Sequence, residues 1–226
     1  MAETKDMEAI RARGRELHAE FAARGDAFGW FEALYKEADG DNNRISWADL
    51  EPNSYFRTWA EKTGLKGDGR SALVVGCGLG DDAKYLHDLG FEVTAFDISP
   101  TAVEWAMKLY GDYDITFEVM DLFQPFPAWL GASDFVLEIY TIQPLPLEMR
   151  PDVIDAVAAF VAEKGSLVVV TRGREDDEEP DQMPWPLSRG DLSRFEENGL
   201  TQTDFVVIEA EDEEEPPRFV VEYKRV

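Results

Sequence analysis

Ala72-Leu73-Val74-Val75-Gly76-Cys77-Gly78-Leu79-Gly80-Asp81-Asp82 is the stretch that decides how this chain folds. An apolar run, a glycine turn and a polar segment reaching Leu89 read as a strand, a tight turn and a helix start. Glycines let the backbone turn sharply and let a ligand approach the main chain closely. Alone, such a turn joins many strands to many helices. Its neighbours have to carry the assignment.

Downstream the pattern alternates. Gly90 closes the helix expected over Asp81–Leu89. Glu92–Phe96 reads as a second strand ending in Asp97. Ser99 is a helix cap with Pro100 in the first turn, and that helix runs to Leu109. Ile115–Met120 is a third strand, followed by Asp121, and Asp134–Tyr140 a fourth. Arg150–Glu163 reads as a helix and Leu167–Thr171 as a fifth strand. Repeated strand–helix units predict a parallel sheet with helices on both faces. Asp191–Asn198 is helical. Thr201–Ile208 and Phe219–Tyr223 flank an acidic turn, Glu209–Pro217, and predict an antiparallel hairpin at a sheet edge.

Upstream, Glu3–Arg24 has the spacing of an amphipathic helix. Phe28–Tyr35 is short and aromatic, Trp47–Pro52 turn-like, and Tyr55–Lys62 helical. We read residues 1–69 as a helical, aromatic lid segment and 70–226 as the core, within one domain spanning 1–226.

The bulk properties narrow the function classes. With 226 residues, 44% of them hydrophobic, the chain can bury a sizeable core and is not a disordered polymer. No apolar run approaches the ~20 residues of a membrane span. The charged start, Met1 to Asp6, lacks a signal-peptide core, so a cytoplasmic location is the expectation. The 47 acidic and 22 basic residues give a formal charge of −25, which repels nucleic acid and anionic membranes. The one cysteine, Cys77, rules out an internal disulfide and reads as a small packing residue. The acidic stretches Glu175–Asp181 and Glu209–Glu215 lack the spacing of a calcium loop, and no metal is expected. A small-molecule partner and a monomer or homodimer are the default expectations.

Ligands of open parallel sheets bind beyond the carboxyl ends of the strands. Three such ends carry a consistent set. The first has Gly76, Gly78 and Gly80, with Asp81 and Asp82 behind them. At the second, Asp97 is placed to accept hydrogen bonds from both hydroxyls of a ribose. At the third, Asp121 is placed to accept one from an adenine amino group. A pyrophosphate wants the helix N-terminus free of negative charge. Two aspartates there disfavour it and suit a ligand with an ammonium group. S-adenosylmethionine carries an ammonium, a ribose and an adenine, and no phosphate. The bland alternative is that Asp81 and Asp82 only complement the helix dipole.

Leu73–Gly80, Phe96-Asp97-Ile98-Ser99-Pro100 and Met120-Asp121-Leu122 resemble, in order, the motifs of class I S-adenosylmethionine-dependent methyltransferases. The resemblance implies an α/β, Rossmann-like fold: a seven-stranded, mostly parallel sheet with an antiparallel C-terminal strand. It implies S-adenosylmethionine as cofactor and S-adenosylhomocysteine as product. The implied cofactor-binding positions are Gly76, Cys77, Gly78, Gly80, Asp81, Asp97, Ile98, Asp121 and Leu122, with Trp47 and Glu138 added. A narrower likeness, to the thiopurine/thiol/halide methyltransferase group, rests on looser motifs. These are Trp30–Tyr35, Trp47–Asn53, Leu145–Pro151 and Met183–Ser188. The fourth strand end, Glu138–Ile142, departs from that group's common versions.

Only two histidines occur, His18 and His87, and neither sits at a strand end. Scarcity of bases favours a mechanism of positioning on a soft nucleophile, such as a thiol. Tyr140, Glu138 and Arg172 are the candidates for contact with the acceptor. Trp30, Trp47 and Trp185 are candidate pocket walls. Arg172 and Arg174 either attract an anionic acceptor or pair with Glu175–Glu179, and pairing is favoured. The alternatives to thiol methylation are an oxygen or nitrogen acceptor, or a non-catalytic cofactor-binding domain.

Overall fold

Strict alternation in β1 (Ser71–Val75) builds two cores at once. Leu73 and Val75 point to one face of the sheet and Ala72 and Val74 to the other. The computed structural model describes residues 6–180, 182–210 and 215–226. Glu3–Lys5 of the first expected helix, Asp181, and residues 211–214 of the acidic turn lie outside the described residues.

The other strands are β2 (Glu92–Asp97), β3 (Ile115–Val119), β4 (Ser133–Ile139), β5 (Val161–Arg172), β6 (Leu200–Ile208) and β7 (Arg218–Arg225). They form one seven-stranded sheet in the order β3-β2-β1-β4-β5-β7-β6. β1 to β5 run parallel. β7 runs antiparallel to both its neighbours, β5 and β6. The expected C-terminal hairpin is therefore present, but it is not simply added at the edge. β7 slots in beside β5, and β6 alone forms the edge.

The helices are α1 (Met7–Ala22), α2 (Gly29–Ala38), α3 (Ser54–Thr63), α4 (Asp81–Asp88), α5 (Pro100–Tyr110), α6 (Arg150–Ala158) and α7 (Arg189–Glu197). α3, α4 and α5 cover one face through Phe56, Trp59, Leu86 and Val103. α6 and α7 cover the other through Val153, Ile154, Val157, Leu192 and Phe195. Each such side chain stabilises the fold by roughly 1.5–3 kcal/mol when fully buried. α5 starts as its sequence dictates, with the Ser99 hydroxyl accepting from the Ala102 amide at 3.0 Å and Pro100 in the first turn. No helix of the described residues is long and apolar enough to cross a membrane.

One boundary differs from the sequence reading. α6 stops at Ala158 rather than Glu163, and β5 begins at Val161 rather than Leu167. Phe160 and Val161 are fully buried, and Val161 pairs with Ser133 of β4. The apolar run 157–161 fits either helix or strand by periodicity, and pairing with β4 decides it.

The N-terminal segment is tied across the carboxyl ends of the strands by polar contacts. Glu32 of α2 accepts from the Ser99 hydroxyl at 2.6 Å and from the Thr101 amide and hydroxyl at 3.1 and 2.9 Å. That places a carboxylate on the N-terminus of α5, where the helix dipole favours it. Asn53, the cap of α3, donates its amide to the Asp82 carboxylate at 2.8 Å. Arg13 of α1 grips Glu37 of α2 with two bonds, at 2.9 and 2.6 Å.

Glu138 ends up inside the sheet layer, fully buried. Its Oε1 accepts from the Thr141 and Ile142 amides at 2.6 and 3.1 Å, which folds the chain back after β4. Its Oε2 has no partner among the described residues. Burial pushes this carboxyl up to about 7, against the pull of the two amides.

Two predictions follow from these packing constraints. Gly80 sits at φ +90°, where a Cβ would lie 2.9 Å from the Phe117 ring and 3.3 Å from Ala106. Gly80→Ala should destabilise the protein by about 2–5 kcal/mol in urea unfolding, from left-handed strain plus overpacking. Glu138 keeps its proton in the folded chain over a window, from the ordinary 4.5 up to about 7, in which the unfolded chain has lost it. Stability therefore falls as pH rises through that window. Relative to Glu138→Gln, the wild type should lose about 3 kcal/mol between those limits. Parallel pH profiles of unfolding free energy for the two proteins would remove this role.

Candidate functional site

Because β1 to β5 run parallel, their carboxyl ends share one edge of the sheet. A cavity of about 1760 Å³ opens there, roofed by residues of α1, α2 and the segment 46–57. That exceeds the ~300–1,000 Å³ of a typical small-ligand pocket and leaves room for two ligands side by side.

The turn after β1 lines the cavity with Gly76, Cys77, Gly78 and Leu79. Gly78 has φ +54°, and a Cβ there would meet the Tyr35 hydroxyl at 3.1 Å. Tyr35 is buried, and its hydroxyl accepts from Trp47 Nε1 at 2.9 Å. The roof thus touches the glycine turn directly. Burial, reinforced by Asp97, holds the Tyr35 phenol and the Cys77 thiol well above their ordinary values. Both stay protonated, which fits the packing reading of Cys77.

Asp97 closes β2 and lies buried in the wall. Its Oδ2 accepts from the Gly78 amide and its Oδ1 from the Ser99 amide, each at 2.9 Å. Burial raises its pKa while those amides oppose the rise. Ile98, Asp121 and Leu122 line the same wall. Asp121 is held by the Phe123 amide at 2.9 Å and by Gln124 Nε2 at 2.9 Å. Asp81 faces the cavity and accepts from the Tyr110 hydroxyl at 2.5 Å, with its pKa raised by burial. Asp82 is pushed up to about 7 by burial, with Asp81 adding to the shift. Asp82 thus carries the Asn53 amide of the roof, besides standing in the first turn of α4.

Two of the expected cofactor-binding positions fall outside the lining. Gly80 packs against Phe117 and Ala106 under α4, so its lack of a side chain serves helix–sheet packing. Glu138 lies beneath the loop it folds and does not reach the cavity. Tyr140 and Arg172 do line it. Tyr140 takes φ +59°, which aims it off the end of β4. Its phenol pKa is raised by burial, against the opposing influence first of the Arg218 charge and then of Asn53.

Of the tryptophans, Trp30 and Trp47 line the cavity and Trp185 does not. Trp185 instead packs edge-on against His18, with ring centroids 5.4 Å apart. His87 sits on α4 against Tyr113, and neither histidine faces the cavity. The expected pairing of Arg172 and Arg174 with Glu175–Glu179 does not form through their carboxylates. Arg174 pairs with Asp191 at 3.0 Å, and Arg172 lies 3.8 Å from Glu215. The sequence reading placed Glu32, Tyr35 and Asn53 only within the expected lid and its motifs, with no individual role. It missed Arg11, Glu215 and Arg218 as site residues, whose positions depend on contacts between distant segments. Among the described residues no group of histidine, cysteine or carboxylate side chains is arranged to hold a metal.

Residues 72–165 match the family model described as a methyltransferase domain. No curated protein sequence matches the chain. Solved structures share its fold. One is a structure described under the conversion of a disulfide bond into a thioacetal group during echinomycin biosynthesis. It has a TM-score of 0.67 at 19% identity, covering 86% of this chain and 90% of that one. The N-methyltransferase NodS from Bradyrhizobium japonicum WM9, in complex with S-adenosylhomocysteine, gives 0.65 at 18% identity, covering 85% and 96%. Magnesium protoporphyrin IX methyltransferase from Synechocystis PCC 6803, with bound S-adenosylhomocysteine, gives 0.66 at 17% identity, covering 87% and 98%. The ordered strand-end motifs and the sheet order agree with these likenesses: residues 72–165 resemble a methyltransferase domain, and the chain shares the fold of solved S-adenosylhomocysteine-bound methyltransferases.

Proposed function

We propose that this enzyme holds S-adenosylmethionine above β1, β2 and β3 and methylates a small-molecule acceptor held above β4, β5 and β7. The observation that carries the donor end is Asp97. Both its oxygens are already fixed by backbone amides, at 2.9 Å each. Each oxygen keeps lone-pair capacity for one hydroxyl of a vicinal pair. A buried carboxylate in that state gains from such partners, because they offset its desolvation. Asp121 is the acceptor for an adenine amino group, and Asp81 faces the ammonium. Three acids in one wall fit this ligand and would repel a pyrophosphate. Trp47, Cys77, Ile98 and Leu122 supply the apolar surface between them.

Bound S-adenosylmethionine supplies a methyl group already activated on a sulfonium sulfur. What remains for the protein is to orient the acceptor and exclude water, worth ~7–11 kcal/mol. Trp30, Tyr35 and Trp47 do both from the roof, and their ring faces attract a cation. Tyr140 stays protonated at neutral pH, so it donates a hydrogen bond rather than taking a proton. No histidine lines the cavity among the described residues. An acceptor that needs no strong base, such as a thiol or another soft nucleophile, suits these walls best. This is the thiopurine/thiol/halide reading.

Two measurements test the proposal. Asp97→Asn should weaken S-adenosylhomocysteine binding at least tenfold in calorimetry, as expected for lost bonds to a charged group. Unchanged affinity would refute the ribose role. A screen of thiols, halides, phenols and amines, read by S-adenosylhomocysteine release, should favour thiols. Faster turnover of phenols or amines would overturn the soft-nucleophile reading while leaving the donor site standing.

A further inference from the structure

Three guanidinium groups share one carboxylate at the end of the cavity away from Asp97. Arg172 closes β5 and Arg218 opens β7, and the antiparallel register sets them directly opposite each other. Like charges in that arrangement cost a sheet stability. Arg11 comes to the same place from α1. Glu215 meets all three: Arg11 Nη1 at 3.0 Å, Arg218 Nη2 at 2.6 Å and Arg172 Nη2 at 3.8 Å. It is the only carboxylate within ion-pair distance of the trio among the described residues. Among the described residues, one negative charge against three positives leaves a local excess of cation in a chain whose formal charge is −25.

The excess is held where it is expensive. Arg218 is buried, and its Nε has no partner among the described residues. The Arg172 guanidinium is held below its ordinary pKa by burial and then by Arg218, with Glu215 pulling the other way. The Arg218 head lies 5.8 Å from the Tyr55 ring, and its charge opposes the burial-driven rise of the Tyr140 phenol pKa. All of these residues line the cavity. Guanidinium forks bind carboxylate and phosphate oxygens in pairs, and in a half-buried setting such bonds are strong.

We propose that Arg11, Arg172 and Arg218 seat an anionic group of the methyl acceptor, a carboxylate or a phosphate, and that Glu215 holds its place until it binds. This deepens the methyl-transfer reading of the same cavity and rests on it for the word acceptor. It makes the substrate class a small organic anion, anchored above β5 and β7. Its nucleophile then lies over β4, toward the donor end.

The test is calorimetric titration with benzoate, phenyl phosphate and the neutral isostere benzamide, with and without saturating S-adenosylhomocysteine. At least one anion should bind tenfold or more tighter than benzamide, and the better anion assigns carboxylate or phosphate. Arg172→Gln and the more exposed Arg11→Gln should each weaken that anion at least tenfold and threefold respectively. Both should leave S-adenosylhomocysteine affinity within twofold. Glu215→Gln should tighten the anion at least threefold, an effect a purely structural ion pair would not give. Equal binding of all three probes, or anion affinity indifferent to both arginine variants, overturns the proposal. Absence of S-adenosylhomocysteine binding with the anion preference intact would instead sink the donor site and leave this one.

Discussion

Parallel pairing of β1 with β2 on one side and β4 on the other is the constraint from which the site follows. It forces successive strands to end at one edge, so each strand delivers its last residues to a common line. Gly76–Leu79, Asp97, Asp121, Tyr140 and Arg172 arrive there from different parts of the chain without any need for local affinity between them. The Cys77 amide donates to the Phe96 carbonyl at 2.8 Å, which extends the pairing of β1 and β2 into the turn itself. The glycine turn is thereby held against Asp97 by the sheet.

The roof obeys a different logic. It combines apolar packing, Tyr35, Ala38, Ile45 and Ala48 against Leu79 and Ala102, with directional bonds that fix its position. Glu32 caps α5 and Asp82 takes the Asn53 amide, while Tyr35 rests on Gly78. Two of these three contacts use helix N-termini that the sheet already points toward the cavity. The acids there serve the fold as well as any ligand, so the macrodipole reading and the binding reading of α4 describe the same carboxylates at two ranges.

The legible part of the molecule was the part encoded by neighbours in sequence. Val75, Gly76 and Gly78 lie within four consecutive positions, Asp97 directly ends its strand, and Asp121 follows its own within two residues, so periodicity and punctuation located them. The overlooked part depends on segments far apart. Arg172 and Arg218 meet only through the register of β5 with β7. Tyr35 finds Gly78 only once α2 has crossed the edge. Glu138 shows the converse error. Its place at a strand end suggested the cavity, yet its side chain follows the alternation of β4 and turns back under the loop. The boundary of α6 failed because an apolar run has no period to read until β4 offers it a partner.

The position of β7 has one further consequence. It follows β6 in the chain but lies inside it in the sheet. During synthesis β5 therefore exposes an unpaired edge through the whole interval in which α7, β6 and the acidic turn emerge. Exposed strand edges invite pairing with other chains. The acid-rich interval, Glu209 through Glu215, then carries a charge that repels a second nascent copy just when that edge is open.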